Sequence, residues 1–140
     1  MDPVIYILDT NVISGCFNRL PQVLDRLNRV GEARHVLGLC DPVRYEVLRG
    51  LLKVIATQKL LLFHETIMHL MDHLALIDDD WRVAAQLWAT MRNQGKQFSD
   101  VDTLIAVLAQ RLNAVVVTAD DNFAALSIQR ENWALLHKCL

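Results

Sequence analysis

The stretch "VIYILDTNVIS", residues 4–14, carries five apolar residues straight into Asp9, Thr10 and Asn11 with no glycine or proline to mark a loop. A short apolar, β-branched run of this kind is the mark of a parallel strand buried on both faces. Two further runs read the same way, Val36 to Cys40 and Ala114 to Thr118. Ala134 to His137 is a weaker fourth, and Leu74 to Ile77 is a further candidate.

Helical patterns lie between these strands. Pro21 to Val30 places Val23, Leu24, Leu27 and Val30 on one face. Asp41-Pro42 opens a helix with proline at its first position, running to about Gln58 with Val43, Val47, Leu48, Leu51, Leu52 and Ile55 toward the core. A third helix is expected over His64 to His73, a fourth from the Asp78-Asp79-Asp80 run to about Asn93, and a fifth from Ser99 through Val101, Ile105, Leu108 and Leu112. Strands alternating with helices predict a three-layer α/β/α fold around a central, mostly parallel sheet of about five strands.

The chain has 140 residues, 53% of them hydrophobic and 21% charged, which suits one domain over 1–140 with its own core. No apolar run approaches the roughly 20 residues of a membrane helix, so no membrane span is expected. An acid in Met1-Asp2-Pro3, and no small-residue cleavage site after the first apolar run, argue for a cytoplasmic protein. Cys16, Cys40 and Cys139 are odd in number and far apart, which predicts reduced thiols. A net charge of −2 lacks the basic excess of a typical nucleic-acid binder, so such binding would need a local patch.

In open parallel sheets, sites form outside the carboxyl ends of the strands. Two strands here stop in acids, at Asp9 and at Asp120-Asp121 beyond "VVVT". The helices add Glu46, about one turn into the helix after the second strand, and Asp100 and Asp102 in the first turn of "SDVDTLIAVLA". Ala106 and Ala109 behind Asp102 let that helix approach the sheet closely. Two like charges ~4 Å apart at an effective dielectric of about 20 repel by on the order of 4 kcal/mol, so carboxylates gathered at one edge call for a cation between them. An all-oxygen donor set favours Mg²⁺ or Mn²⁺ over Zn²⁺, and such an ion suits phosphodiester hydrolysis.

Each acid also has an ordinary reading. Asp9 or Thr10 caps a short helix starting near Asn11; Ser99 with Asp102 forms a capping box; Glu46 is a solvated helix acid paired with Arg49 or Lys53. Only their common location favours a site.

Taken together, "ILDTNVIS", "VRYEVLRG" (43–50), "DVDTLIAVLA" (100–109) and "VVVTADDNF" (115–123) resemble the PIN-domain ribonucleases, and among them the VapC-type toxins of toxin–antitoxin pairs. The likeness runs through nearly the whole chain in order, with "NWALL" (132–136) matching a final strand. It implies a PIN fold and an endoribonuclease that uses Mg²⁺ or Mn²⁺, with a small antitoxin as partner. By motif, Asp9 matches the first metal-binding acid, Glu46 the glutamate of E-x-x-x-G, Asp102 the aspartate of D-x-x-I-A, and Asp120 the acid beyond Thr118. Asn11 and Thr118 match supporting polar positions. Asn122 departs from the aspartate that relatives carry before the phenylalanine, which leaves the fourth acid open between Asp120 and Asp121, with Asp100 an additional candidate. A housekeeping PIN nuclease and a non-catalytic binding module are the alternative readings. Arg19, Arg44, Arg49, Lys96 and Arg111 are the cations available for RNA phosphates.

Other patterns lead elsewhere. His64 and His69 in "HETIMH" are one residue too far apart for H-E-x-x-H, and His69 with His73 lacks a third ligand, so surface histidines are expected. Asp78 to Asp80 reads as a helix start. "DTN" excludes the D-x-D of a haloacid-dehalogenase phosphatase, and no glycine-rich nucleotide motif is present. The apolar, Met-rich stretch from Leu60 to Leu74 packs a core or forms a homodimer or antitoxin surface.

Overall fold

A computed structural model describes residues 2–135. Its elements are β1 (Ile5–Leu8), α1 (Thr10–Phe17), α2 (Pro21–Glu32), β2 (Val36–Cys40), α3 (Asp41–Lys53), α4 (Thr57–Leu62), β3 (Asp72–Leu74), α5 (Asp78–Asn93), α6 (Asp100–Leu112), β4 (Val115–Val117) and β5 (Gln129–Glu131). The five strands form one sheet in the order β3-β2-β1-β4-β5, every neighbouring pair parallel. With helices packed around this sheet, the architecture is the expected three-layer α/β/α fold.

The central strands are apolar because both their faces are covered: Ile7, Leu8, Val116 and Val117 are each fully buried, as are Ile105 and Leu108 of α6. Gly38 belongs here for a steric reason. A Cβ at this position would stand 2.3 Å from a Leu74 methyl and 3.3 Å from the Tyr6 carbonyl, so only glycine lets β2 sit between its neighbours. The edge strands are different: β3 exposes Asp72 and His73, and β5 exposes Gln129 and Arg130.

Three expectations are corrected. The helix opened by Asp41-Pro42 stops at Lys53 rather than about Gln58, and Leu52 and Ile55 face solvent instead of the core. Ile55 takes a left-handed φ of 51°; its N–H bonds to the Leu52 carbonyl and that of Ala56 to the Leu51 carbonyl, a Schellman closure that turns the chain into α4. The helix expected over His64–His73 begins earlier and ends sooner: α4 runs on through a π-turn, Phe63–Ile67, and a 3₁₀ turn, Met68–Leu70, into β3, which overlaps the expected Leu74–Ile77 strand only at Leu74. Burial of Phe63, Ile67 and Met71 sets that path.

The third correction is the last strand. Among the described residues it is the polar Gln129–Glu131; of the expected Ala134–His137, Ala134 and Leu135 lie in a turn, and 136 and 137 lie outside the described residues. Trp133 drives that turn, buried with its ring centroid 5.6 Å from that of Tyr6 and its indole N–H donating to Glu131 Oε1 at 2.9 Å.

Candidate active site

The strand order places the topological switch between β1 and β4: after β1 the chain moves toward β2 and β3, after β4 toward β5. The loops leaving these two strands therefore diverge and leave a crevice at their carboxyl ends. Pairing of Leu8 with Val117 brings Asp9 and Thr118 side by side there, and the Asp9 N–H continues the ladder to the Val117 carbonyl at 2.9 Å.

Asp9 is both cap and cluster member. Its Oδ1 accepts the Thr10 N–H at 2.8 Å at the start of α1, and its Oδ2 accepts the Thr118 hydroxyl at 2.8 Å and the Asn11 amide at 3.4 Å. Thr118 Oγ1 in turn accepts the Asp120 N–H at 3.0 Å and the Asn11 amide at 3.3 Å, while Asn11 Oδ1 accepts the Ala119 N–H at 3.0 Å. Asn11 and Thr118 thus tie the two strand ends together. Asp9 is buried, and this burial raises its pKa; the Thr118 and Thr10 bonds oppose the rise, and the charges of Glu46 and Asp120 add to it.

Glu46 projects from α3 with both oxygens engaged: Oε1 accepts the Thr10 hydroxyl and Oε2 the Arg49 guanidinium at 3.4 Å. Asp102 sits in the first turn of α6, where Ser99 caps the helix by accepting the Asp102 N–H at 3.0 Å. Burial first, then the charges of Asp9, Asp120 and Glu46, push the Asp102 carboxyl up to about 6. Ser99 acts on both parts of Asp102, capping the helix through the backbone N–H and, through a side-chain hydrogen bond to the carboxyl, partly offsetting the rise.

Asp120 settles beside this group, its two oxygens accepting the Asn122 N–H at 3.0 Å and the Asn122 amide at 3.1 Å. Asn122, the departure from the motif, is therefore the partner that orients Asp120. Asp121 turns away to an ion pair with Arg130 at 3.0 Å, its side chain almost fully exposed. Asp100 faces the other way, lining a pocket with Tyr45, Arg49 and Trp81. The acids brought together are Asp9, Glu46, Asp102 and Asp120; Asp100 and Asp121 are not among them. Among the described residues no three acid, histidine or cysteine side chains stand close enough to clasp one ion as placed. The four acids share an electrostatic field and an all-oxygen donor chemistry suited to a hard cation.

A family model described as PIN domain matches residues 6–129. The chain belongs to the PIN-domain family. A comparison with curated proteins finds no match. Among solved structures, this PIN domain is similar to a chain of the promoter-DNA-bound VapBC2 complex of Rickettsia felis, with a TM-score of 0.77 and 22% identity over 93% of this chain and 99% of that one. A chain of DNA-bound VapBC from Salmonella typhimurium gives 0.78 and 23% over 93% and 98%, and a chain of FitAcB from Neisseria gonorrhoeae 0.77 and 24% over 94% and 99%. These likenesses concern the fold.

Several side chains of the PIN domain have roles that its sequence did not advertise. Thr10, whose only visible signal was its place after Asp9, holds Glu46. Arg111 is no free cation: its Nε and Nη2 bond both oxygens of buried Asp80 at 2.8 and 3.0 Å, and Nη2 reaches the Ala75 carbonyl at 3.2 Å. Burial alone would raise the Asp80 pKa, but these bonds and the Ile77 N–H outweigh it and hold the carboxyl below its usual range. Asp78 to Asp80 accordingly serve the start of α5. His64, His69 and His73 are exposed, as expected, and His73 pairs with Asp41 at 2.6 Å.

Proposed function

We propose that this PIN domain is an endoribonuclease dependent on Mg²⁺ or Mn²⁺ that hydrolyses RNA phosphodiester bonds, and that it is the toxin of a toxin–antitoxin pair, a single domain acting in the cytoplasm. The observation that carries the nuclease reading is the gathering of Asp9, Glu46, Asp102 and Asp120 at the switch point, where burial first and then the charges of the other acids raise the Asp102 carboxyl to about 6. Acids held in a field that disfavours their own charge are matched to a cation and mismatched to a purely structural role.

Asp9 and Asp102 are the direct metal ligands in this reading. Glu46, steadied by Thr10 and Arg49, binds metal or orients the attacking water, and Asp120 completes the set. Asn11 and Thr118 hold Asp9 in place by direct hydrogen bonds. When bound, the divalent ion supplies charge neutralisation for the phosphate and a water acidic enough to be deprotonated near neutral pH.

The toxin part rests on the likeness in fold to chains of VapBC complexes and on surface for a partner. An apolar groove of about 500 Å³, lined by Leu24, Leu27, Leu37, Leu62, Ile67 and Leu70, suits the apolar face of a small antitoxin. Exposed Tyr45, Trp81 and Trp88 suit a homodimer contact. Purified protein should cleave RNA with Mg²⁺ or Mn²⁺, lose activity in EDTA, and lose it in Asp9→Asn and Asp102→Asn; equal activity in those variants would sink the site. Growth arrest on induction, relieved by co-expressing a small neighbouring open reading frame, tests the toxin reading separately from a housekeeping nuclease.

A further inference from the structure

A smaller pocket of about 230 Å³ adjoins the acids, lined by Thr10, Ser14, Asn18, Glu46, Gly50 and Lys59 among others. It shares Thr10 and Glu46 with the candidate active site, so whatever fills it lies next to the reacting centre. Two features of its wall are unexplained by packing. Gly50 lies inside α3, where glycine weakens a helix relative to alanine, yet a Cβ there would meet nothing within 4 Å. Gly38, whose Cβ would collide with Leu74, shows what a glycine required by packing looks like. Gly50 is exposed and lines the pocket, so a side chain there would stand in open space at its rim. Lys59 is the other feature: Glu46 is the acid lining the same pocket, but its two oxygens are engaged by Thr10 and Arg49. Lys59 thus lines a pocket of mixed character, in which the side chains of Ser14 and Asn18 offer further hydrogen-bonding groups beside the apolar Phe17, Val47 and Leu51.

We propose that this pocket is a subsite for single-stranded RNA, in which Lys59 pairs with the backbone phosphate neighbouring the scissile one and the missing side chain of Gly50 leaves room for the nucleotide. The subsite rests on the nuclease reading and adds to the acid cluster a cation that no acid of the cluster engages. Lysine meets a phosphate as a point charge and needs no fixed geometry, which suits a sequence-independent contact.

The test is fluorescence anisotropy with a labelled single-stranded RNA 12-mer in EDTA, across salt concentrations, beside cleavage assays with Mn²⁺. Lys59→Gln should weaken binding roughly three- to tenfold at low salt and flatten the slope of log K against log salt by about 0.7, the signature of one lost phosphate contact. Gly50→Met should weaken binding at least fivefold with the slope unchanged. Gly50→Ala should raise Tm by about 2 °C yet still lower affinity, a combination that a structural role for Gly50 excludes. Arg29→Gln, on α2 at a distance from the acids, controls for net charge and should leave both unchanged. A wild-type slope in Lys59→Gln overturns the subsite, as does wild-type affinity in the Gly50 variants; if Gly50→Met fails to fold, Gly50→Ala and Lys59→Gln decide. Cleavage by wild type together with either result leaves the nuclease reading standing, whereas a wild type that neither binds nor cleaves RNA overturns both.

Discussion

Replacing Asp102 by asparagine should make the metal-free protein more stable while removing its activity. The Asp102 carboxyl is raised from the ordinary 3.8 to about 6, first by burial and then by Asp9, Asp120 and Glu46. Its folded form therefore holds a proton more tightly than the unfolded chain. Stability from that proton is fully present below pH ~4 and is lost as pH rises through about 6. A shift of about two units corresponds to at most ~3 kcal/mol, and solvent screening at this partly exposed carboxyl reduces it to about 1–2 kcal/mol. The asparagine amide carries no charge to be disfavoured, and the cap at Ser99 survives the substitution because it uses the backbone N–H of that position. Differential scanning calorimetry in EDTA should show Asp102→Asn melting about 3–6 °C above wild type at pH 7.5, with the gain fading toward pH 4. An equal or lower Tm at pH 7.5, or the same gain at both pH values, would refute the shared-field account of the acids.

Three further outcomes follow from other contacts. Thr118→Val removes the hydroxyl that donates to Asp9 and accepts from the Asp120 N–H, and should cost about 1–3 kcal/mol in urea unfolding. Arg111→Met leaves Asp80 buried without its cation and should cost about 3 kcal/mol, much of it recovered on adding Asp80→Asn, with RNA binding by anisotropy unchanged in the double variant. Ile55→Gly relieves a β-branched residue at φ 51° that buries almost nothing, and should raise stability by about 0.5–1 kcal/mol in the same urea titration.

Legibility of the fold in the sequence followed the physics of burial. β1, β2, β4 and most of α5 and α6 were readable because strands covered on both faces must be apolar and amphipathic helices must repeat. β3 and β5 were not: as edge strands they are polar, and polar residues are also what loops contain. Helix ends were obscured for a different reason. Gly95 closes α5 at φ 75°, as a reader of sequences expects, but Arg19, Arg34, Ile55 and Asn113 adopt left-handed backbone at other helix ends. Asn113 is a residue that tolerates this backbone, but at Arg19, Arg34 and Ile55 the local hydrogen bonds that close the helix impose a conformation those side chains do not announce.

That Asp9, Glu46, Asp102 and Asp120 gather at one edge was readable because the strand ends and helix starts define where they meet. The choice of Asp120 over Asp121 was not, because it depends on Asn122 turning one acid inward and Arg130 drawing the other out. Thr10 and Lys59 were equally silent, since each is ordinary at its own position and stands out only through what α1, α3 and α4 place opposite it.

Both rims of the sheet are closed to recruitment. With Asp72 and His73 along one margin and Gln129 and Arg130 along the other, an added strand would have to align its backbone against charged and polar side chains in solvent. Polar edges of this kind discourage edge-to-edge polymerisation and favour assembly through the helices. A toxin kept in check by a protein partner would need that partner to grip helical grooves, so its release would turn on unseating side chains rather than on peeling apart a ladder of backbone hydrogen bonds.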